Sequence, residues 1–284
     1  MFGSLVIVFP TPHEGGALVL RHNSKEWSFD SGKEIGDTKN IGYIAFFSDV
    51  EHEVAPVKSG YRVTLTYNLY HINETNLHLF RPVPALPMNE CAIKESLRAI
   101  VEDKTFCPKG TYLGFGLNHE YPVDLVSDEW DSLKYIYHYL KGSDAALKRA
   151  CEELGLDTQL YVHYSDVRRR GEECDILVPR IVDIDESVSL EDEDFGDYIM
   201  NSERGARVTG GTGSDDDDLD IDITWVTNIT RYNEQLAAWI AYGNEHYRST
   251  TYGRFCLIVT LGPAEHRGTG LPIEDTLKSL RGGA

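Results

Sequence analysis

The chain has 284 residues, with 46 acidic against 27 basic side chains, so it carries a formal net charge of -19. That balance argues against nonspecific binding to nucleic-acid phosphates, and no run of 18 apolar residues is present to cross a membrane as a helix. Hydrophobic residues make up 41%, enough for a real core in one large or two small domains.

Residues 3–71 read as consecutive short strands: Gly3 to Phe9, Ala17 to Leu20, Trp27 to Phe29, Ile41 to Phe47, Val54 to Val57 and Arg62 to Tyr70. Their Gly, Pro and Asn punctuation indicates a β sandwich or barrel. A Pro-rich linker is expected over 72–88 (Pro82, Pro84, Pro87). Asn89 can cap a helix over 90–103, with Ile93, Leu97, Ile100 and Val101 on one face. A strand over Tyr112 to Leu117 follows, then helical spacing from Asp128 to Leu140. Ser143 or Asp144 caps a further helix that stops at Gly155. These, with a strand over Leu160 to Tyr164, make 89–164 a mixed extension. From 165 to 220 the chain reads as an acidic, disordered insert, ending in Gly210 to Asp218. The aspartate run lacks the ligand alternation of a calcium loop. Order returns over 221–284, with strands at Ile223 to Val226 and Phe255 to Leu261. The class is therefore mainly β with added helices, α+β.

Five scattered cysteines (Cys91, Cys107, Cys151, Cys174, Cys256) contain no Cys-x-x-Cys. An odd number without a signal peptide fits a reducing intracellular compartment, cytoplasmic or nuclear. Nothing in the chain matches Gly-x-Ser-x-Gly or a phosphate loop.

The chemistry-bearing stretch is His52 to Tyr67: a strand with a histidine, a turn at Ser59-Gly60, and a strand opening on Arg62. Side chains alternate along a strand, so Arg62, Thr64 and Thr66 share one face and Val63, Leu65, Tyr67 and Leu69 the other. A guanidinium fork suits a small carboxylate. His13 lies at the turn leading into Gly15-Gly16 and reads as a loop residue; Asp49 and Glu51 read as supporting or solvated acids.

This stretch resembles the 2-oxoglutarate- and Fe(II)-dependent dioxygenases, in particular the prolyl-4-hydroxylase-like branch found in fungi. The segments carrying the resemblance are Phe2-Gly-Ser-Leu-Val-Ile-Val8, Pro12-His-Glu-Gly-Gly-Ala-Leu18, Phe46-Phe-Ser-Asp49 with His52, and Arg62 with Thr64. It covers residues 1–71 closely and the remainder loosely, through Tyr242-Gly-Asn-Glu245. The resemblance implies a double-stranded β-helix, or jelly roll, over 1–71, followed by an α/β extension. It implies Fe(II) and 2-oxoglutarate as cofactors, with ascorbate as an accessory reductant, and dioxygen as co-substrate. His52 would ligate the metal, Arg62 would hold the far carboxylate of 2-oxoglutarate, and Thr64 would assist it. The family's other two iron ligands form a His-x-Asp pair just ahead of the strand at Phe2, and no such pair occurs in this sequence. Two expectations follow. Either the chain is a truncated oxygenase, inactive as it stands, or it is a non-catalytic jelly-roll module for protein contacts.

Overall fold

The computed structural model describes residues 1–70, 87–121, 132–182, 189–190, 194–209, 220–230, 233–241, 247–265 and 267. The chain divides into two compact units, Met1–Val83 and Pro84–Ala284. It is mainly β with a few helices, as the sequence predicts.

The first unit is built from β1 (Gly3–Val8), β2 (His13–Gly15), β3 (Leu18–His22), β4 (Lys25–Phe29), a short helix α1 (Ser31–Glu34), β5 (Gly42–Phe47), β6 (Glu51–Val54), β7 (Val57–Gly60) and β8 (Thr64–Leu69). They form three antiparallel sheets: β5-β1-β8, β4-β3-β6 and the pair β2-β7. Alternation decides the faces. Val6 and Val8 are buried and pack with Ile35, Phe29, Ile44 and Phe46. Leu18, opposite Phe29 and Val54, is buried as well. These residues define the interior between the two three-stranded sheets. The opposite parity is solvated. On β4-β3-β6 it carries Arg21, bonded to Glu26 and Glu53. On β5-β1-β8 it carries the rows Tyr43-Ile7-Leu65 and Ala45-Leu5-Tyr67.

The second unit contains α2 (Pro87–Glu102), β9 (Thr111–Gly116), α3 (Ser132–His138), α4 (Gly142–Glu153), β10 (Asp157–Arg169), β11 (Glu172–Val178), β12 (Ser189–Leu190), α5 (Phe195–Asn201), β13 (Ala206–Thr209), β14 (Asp220–Thr227), β15 (Glu234–Ala241) and β16 (Tyr247–Leu261). The strand order is β10-β11-β13-β14-β9-β16-β15-β12, and β10 also pairs with β16. That extra pairing closes six strands into a barrel. Its interior is lined by Tyr161, Leu177, Ile221, Ile223, Cys256 and Ile258, with Trp225 packed among them. Trp225 fits because its strand neighbour is Gly114; a Cβ there would meet the indole at 2.4 Å. Outside, the helices bury Leu97, Leu133, Ile136, Ala150, Cys151, Phe195 and Ile199 against the alternate strand residues Leu113, Phe115, Leu160, Val162, Leu257 and Val259.

Three expectations need correction. The insert predicted as disordered over 165–220 contains the end of β10, all of β11, α5 and β13. Its charged residues alternate with Val167, Ile176, Val178, Ile199 and Met200, which are buried in the core; composition averaged over the segment hides that alternation. The predicted divisions at 164 and 220 cut through one barrel rather than between segments. Asp144 does not act as a helix cap: its carboxylate turns away to accept from the backbone N–H groups of Asn118 and His119 and from the Tyr121 hydroxyl. Of the linker predicted over 72–88, the last two residues belong to α2 and the rest lies outside the described residues, as do Tyr242 to Glu245 and Gly210 to Asp218.

Candidate functional site

Arg62 stands in the connection between β7 and β8, just before the strand proper. Its parity turns it to the interior of the first unit, alongside Thr64 at the start of β8, which pairs with the buried Val8. Gly16, in the left-handed region at φ 72°, makes room for it: a Cβ there would sit 2.8 Å from Arg62 Cδ and 3.6 Å from His13 Cδ2. The guanidinium Nε and Nη2 are buried and have no hydrogen-bond partner among the described residues, and burial pushes its pKa down. Buried guanidinium N–H groups without acceptors are costly and need an explanation. A planar acceptor such as a carboxylate is the group that fits the fork.

His13 is excluded as a metal ligand by its own bonds. Nδ1 lies 2.6 Å from the Thr11 carbonyl and Nε2 2.9 Å from Ser31 Oγ. The carbonyl can only accept, so Nδ1 carries the proton and Nε2 accepts from the serine. Both nitrogens are thereby engaged, and the ring serves as a wall beside Arg62; His13 is the buried first residue of β2 rather than the loop residue the sequence suggests.

His52 lies on β6, directly across from Leu20. Leu20 shares parity with Leu18, and the His52 ring meets Phe46 of the other sheet at 4.9 Å between centroids, but His52 is itself exposed, as are all four residues of β6. Nδ1 donates to the Val50 carbonyl at 3.2 Å. That bond leaves the Nε2 lone pair for another partner, the arrangement usual in metal-ligating histidines. The structure puts Arg62 and Thr64 on one half-buried face and leaves His52 exposed. It does not link them directly: no hydrogen bond or ion pair joins His52 to Arg62 or Thr64 among the described residues.

Sequence reasoning missed one pair. His22, at the end of β3, brings Nε2 to 3.7 Å from Asp49 Oδ2, which follows β5. An acid two positions after a histidine marks only contacts within one strand. This pair is made between segments 27 residues apart in the sequence.

In the second unit, His163 and Asp175 face the barrel interior. His163 Nε2 lies 3.2 Å from Asp175 Oδ2, and the ring meets Trp225 edge-on. Asp175 also accepts from the Asp166 backbone N–H, fixing a bulge in β10. Both bonds hold the Asp175 carboxyl below its usual range, the histidine bond most. A hollow of about 240 Å³ on this unit is lined by Arg169, Arg170, Arg207, Glu172 and Cys174. Of these guanidinium groups, Arg169 and Arg170 have the Asp197 carboxylate at 3.5 Å and 3.8 Å.

Comparison with models of known protein families, with curated proteins and with solved structures finds no match. Among the described residues no helix is long and apolar enough to cross a membrane.

Proposed function

We infer that the first unit is part of a jelly roll that binds Fe(II) and 2-oxoglutarate and hydroxylates a C–H bond, with a prolyl side chain as the nearest analogy. The observation carrying this reading is Arg62, an inward guanidinium with two buried N–H groups and, among the described residues, no acid bonded to them. His52 would hold the metal through Nε2, with its orientation set by Val50. Iron held there would supply the activation of dioxygen, coupled to oxidative decarboxylation of 2-oxoglutarate to succinate and carbon dioxide. The protein's part is binding and exclusion. Arg62 takes the far carboxylate in a bidentate bond, Thr64 offers a hydroxyl on the same face, and His13 with Gly16 shapes the space around the guanidinium. Val6 and Val8 with Phe46 supply an apolar wall on this side of the unit.

The test is calorimetric titration of 2-oxoglutarate into the Co(II)-loaded protein. Charged hydrogen bonds contribute roughly 1.5–3 kcal/mol, so Arg62→Ala should weaken binding about 10- to 100-fold, with Arg62→Lys in between. Equal affinity in all three proteins would remove the clamp from this reading.

A second reading, a non-catalytic interaction module, is favoured by the outer face of β5-β1-β8. Tyr43 is 77% exposed, and Leu65 and Tyr67 are about half exposed in adjoining rows. Contiguous apolar surface of this kind marks a contact site. This reading expects no 2-oxoglutarate binding by the wild type, and a higher solubility limit in Leu65→Lys by light scattering.

A further inference from the structure

We propose that the hollow lined by Arg169, Arg170 and Arg207 in the second unit is a binding site for a phosphomonoester, carried by a small molecule or by a phosphorylated side chain. The proposal is independent of the oxygenase reading, which concerns residues of the first unit.

Strand pairing brings the arginines together. Arg169, at the end of β10, stands opposite Glu172, and on β11 Glu172 and Cys174 share parity with Ile176. Ile176 is buried in the core beneath the helices and stands opposite Arg207 on β13. These residues therefore project from the outer, helix-bearing face of the barrel. Helix α5 closes one side. Gly196 lets it press onto β10, since a Cβ there would sit 2.9 Å from Arg169 Cβ. Arg170 follows in the left-handed region at φ 48°. Its backbone N–H donates to Asp197, and that of Gly171 donates to Asp194, which fixes the turn from which the Arg170 side chain leaves. The enclosed space is about 240 Å³, below the roughly 300–1,000 Å³ that takes a whole drug-sized ligand. It suits a single charged headgroup.

Charge sets the ligand class. The residues lining the hollow carry three guanidiniums and one carboxylate, that of the exposed Glu172. Asp197 serves both Arg169 and Arg170 while it also holds the turn. Arg207 makes no hydrogen bond or ion pair among the described residues; Asp220, its register partner on β14, does not bond to it. Burial pushes the Cys174 thiol up, and Arg207 and Arg169 both pull it back, so the two cations act on one point beside the hollow. A phosphomonoester brings a charge of about -1.5 to -2 and three acceptor oxygens, enough to engage more than one guanidinium fork. A carboxylate brings one charge and two oxygens. The chain's net charge of -19 repels extended polyanions such as nucleic acid, which leaves a compact anion as the group selected.

The experiment titrates inorganic phosphate, O-phosphoserine and a short phosphoserine peptide into the full chain by calorimetry at low ionic strength. Arg207→Gln, Arg170→Gln and Glu172→Gln run in parallel, with Arg21→Gln, a guanidinium of the first unit, as control. The wild type should bind one phosphoryl group per chain. Arg207→Gln should weaken binding about 10- to 100-fold, as loss of a charge-assisted bond does. Arg170 is 73% exposed, so Arg170→Gln should weaken it about 2- to 5-fold. Glu172→Gln should tighten binding by removing a repulsive charge, and Arg21→Gln should leave it unchanged. Circular dichroism checks the fold, and Arg170→Gln, at an exposed turn, decides the matter if Arg207→Gln does not fold. Tighter binding of the peptide than of the other two probes supports the site and makes a phosphorylated protein segment the ligand; equal binding of O-phosphoserine and the peptide supports it and makes the phosphoryl group itself what is recognised. No saturable heat from any of the three probes would overturn the proposal. So would an affinity unchanged in Arg207→Gln and Arg170→Gln, or one lowered as much by Arg21→Gln, which would show a general charge effect.

Discussion

At Asp175 a single carboxylate ties together a bulge, a histidine and the inside of a barrel. Its folded pKa lies below the unfolded value because His163 and the Asp166 N–H favour the ionised form. A group depressed in this way stabilises the fold above its unfolded pKa near 4, and the gain is lost as pH falls through the lower folded value. The carboxylate is only half withdrawn from solvent, so screening keeps the effect to about 1 kcal/mol. Asp175→Asn should therefore lower Tm by about 2–4 °C at pH 6–7, and the difference should shrink to nothing as wild type and variant approach pH 2–3 in thermal melts. A constant gap across that range would show that the loss is one of packing alone. His22 illustrates a different limit at this scale. Nothing adjacent to it in sequence suggests a partner, because the acid it meets is brought there by the pairing of β6 with β3.

At the scale of elements, alternation was the reliable signal. Thr64 and Thr66 do share a face, opposite the buried Val8 and Val6, and Val63, Leu65 and Tyr67 are exposed, but Thr66 is exposed too and Leu69, expected with the second set, is half-buried. The helices α2 and α4 follow their apolar spacing, through Leu97 on one and Ala150 with Cys151 on the other. The Cys151 thiol is buried enough to be pushed up to about 12, so it behaves as a small hydrophobe. Strand β10 was harder to read. A bulge between Tyr164 and Val167 interrupts its period, with Asp166 at φ 53°. The three arginines that follow look like a solvated run, yet Arg169 is 9% exposed. Gly114 was not legible either, since its role depends on Trp225 arriving from a strand more than a hundred residues away. Gly114→Ala would drive a methyl group into the indole. Overpacking of this kind costs about 1–3 kcal/mol. We expect a matching fall in Tm and a shifted tryptophan emission, with Gly114→Ala/Trp225→Phe recovering part of the loss. An unchanged melt in the single variant would mean the ring has space elsewhere.

For the whole molecule, negative charge is in excess of what the local contacts neutralise. With 46 acidic and 27 basic residues, self-repulsion opposes compaction, and added salt screens it over a Debye length that falls from about 30 Å at 0.01 M to about 10 Å at 0.1 M. Raising sodium chloride from about 10 to about 200 mM should increase Tm. A decrease would mean that the attractive pairs, such as Arg21 with Glu26 and Glu53 or Arg149 with Glu90, outweigh the repulsion.

The closure of the barrel also has a consequence in time. Strand β16 contacts β9, β10 and β15, so three neighbours wait for one late segment. During synthesis the chain up to β14 would hold an open sheet with unpaired edges until residues 247–261 leave the ribosome. Pairings at such separations make folding slow and expose the intermediate to aggregation. The first unit completes its pairings within its first 69 residues and can fold early. Vectorial synthesis would then give two separate folding events, the second gated by the arrival of a single strand.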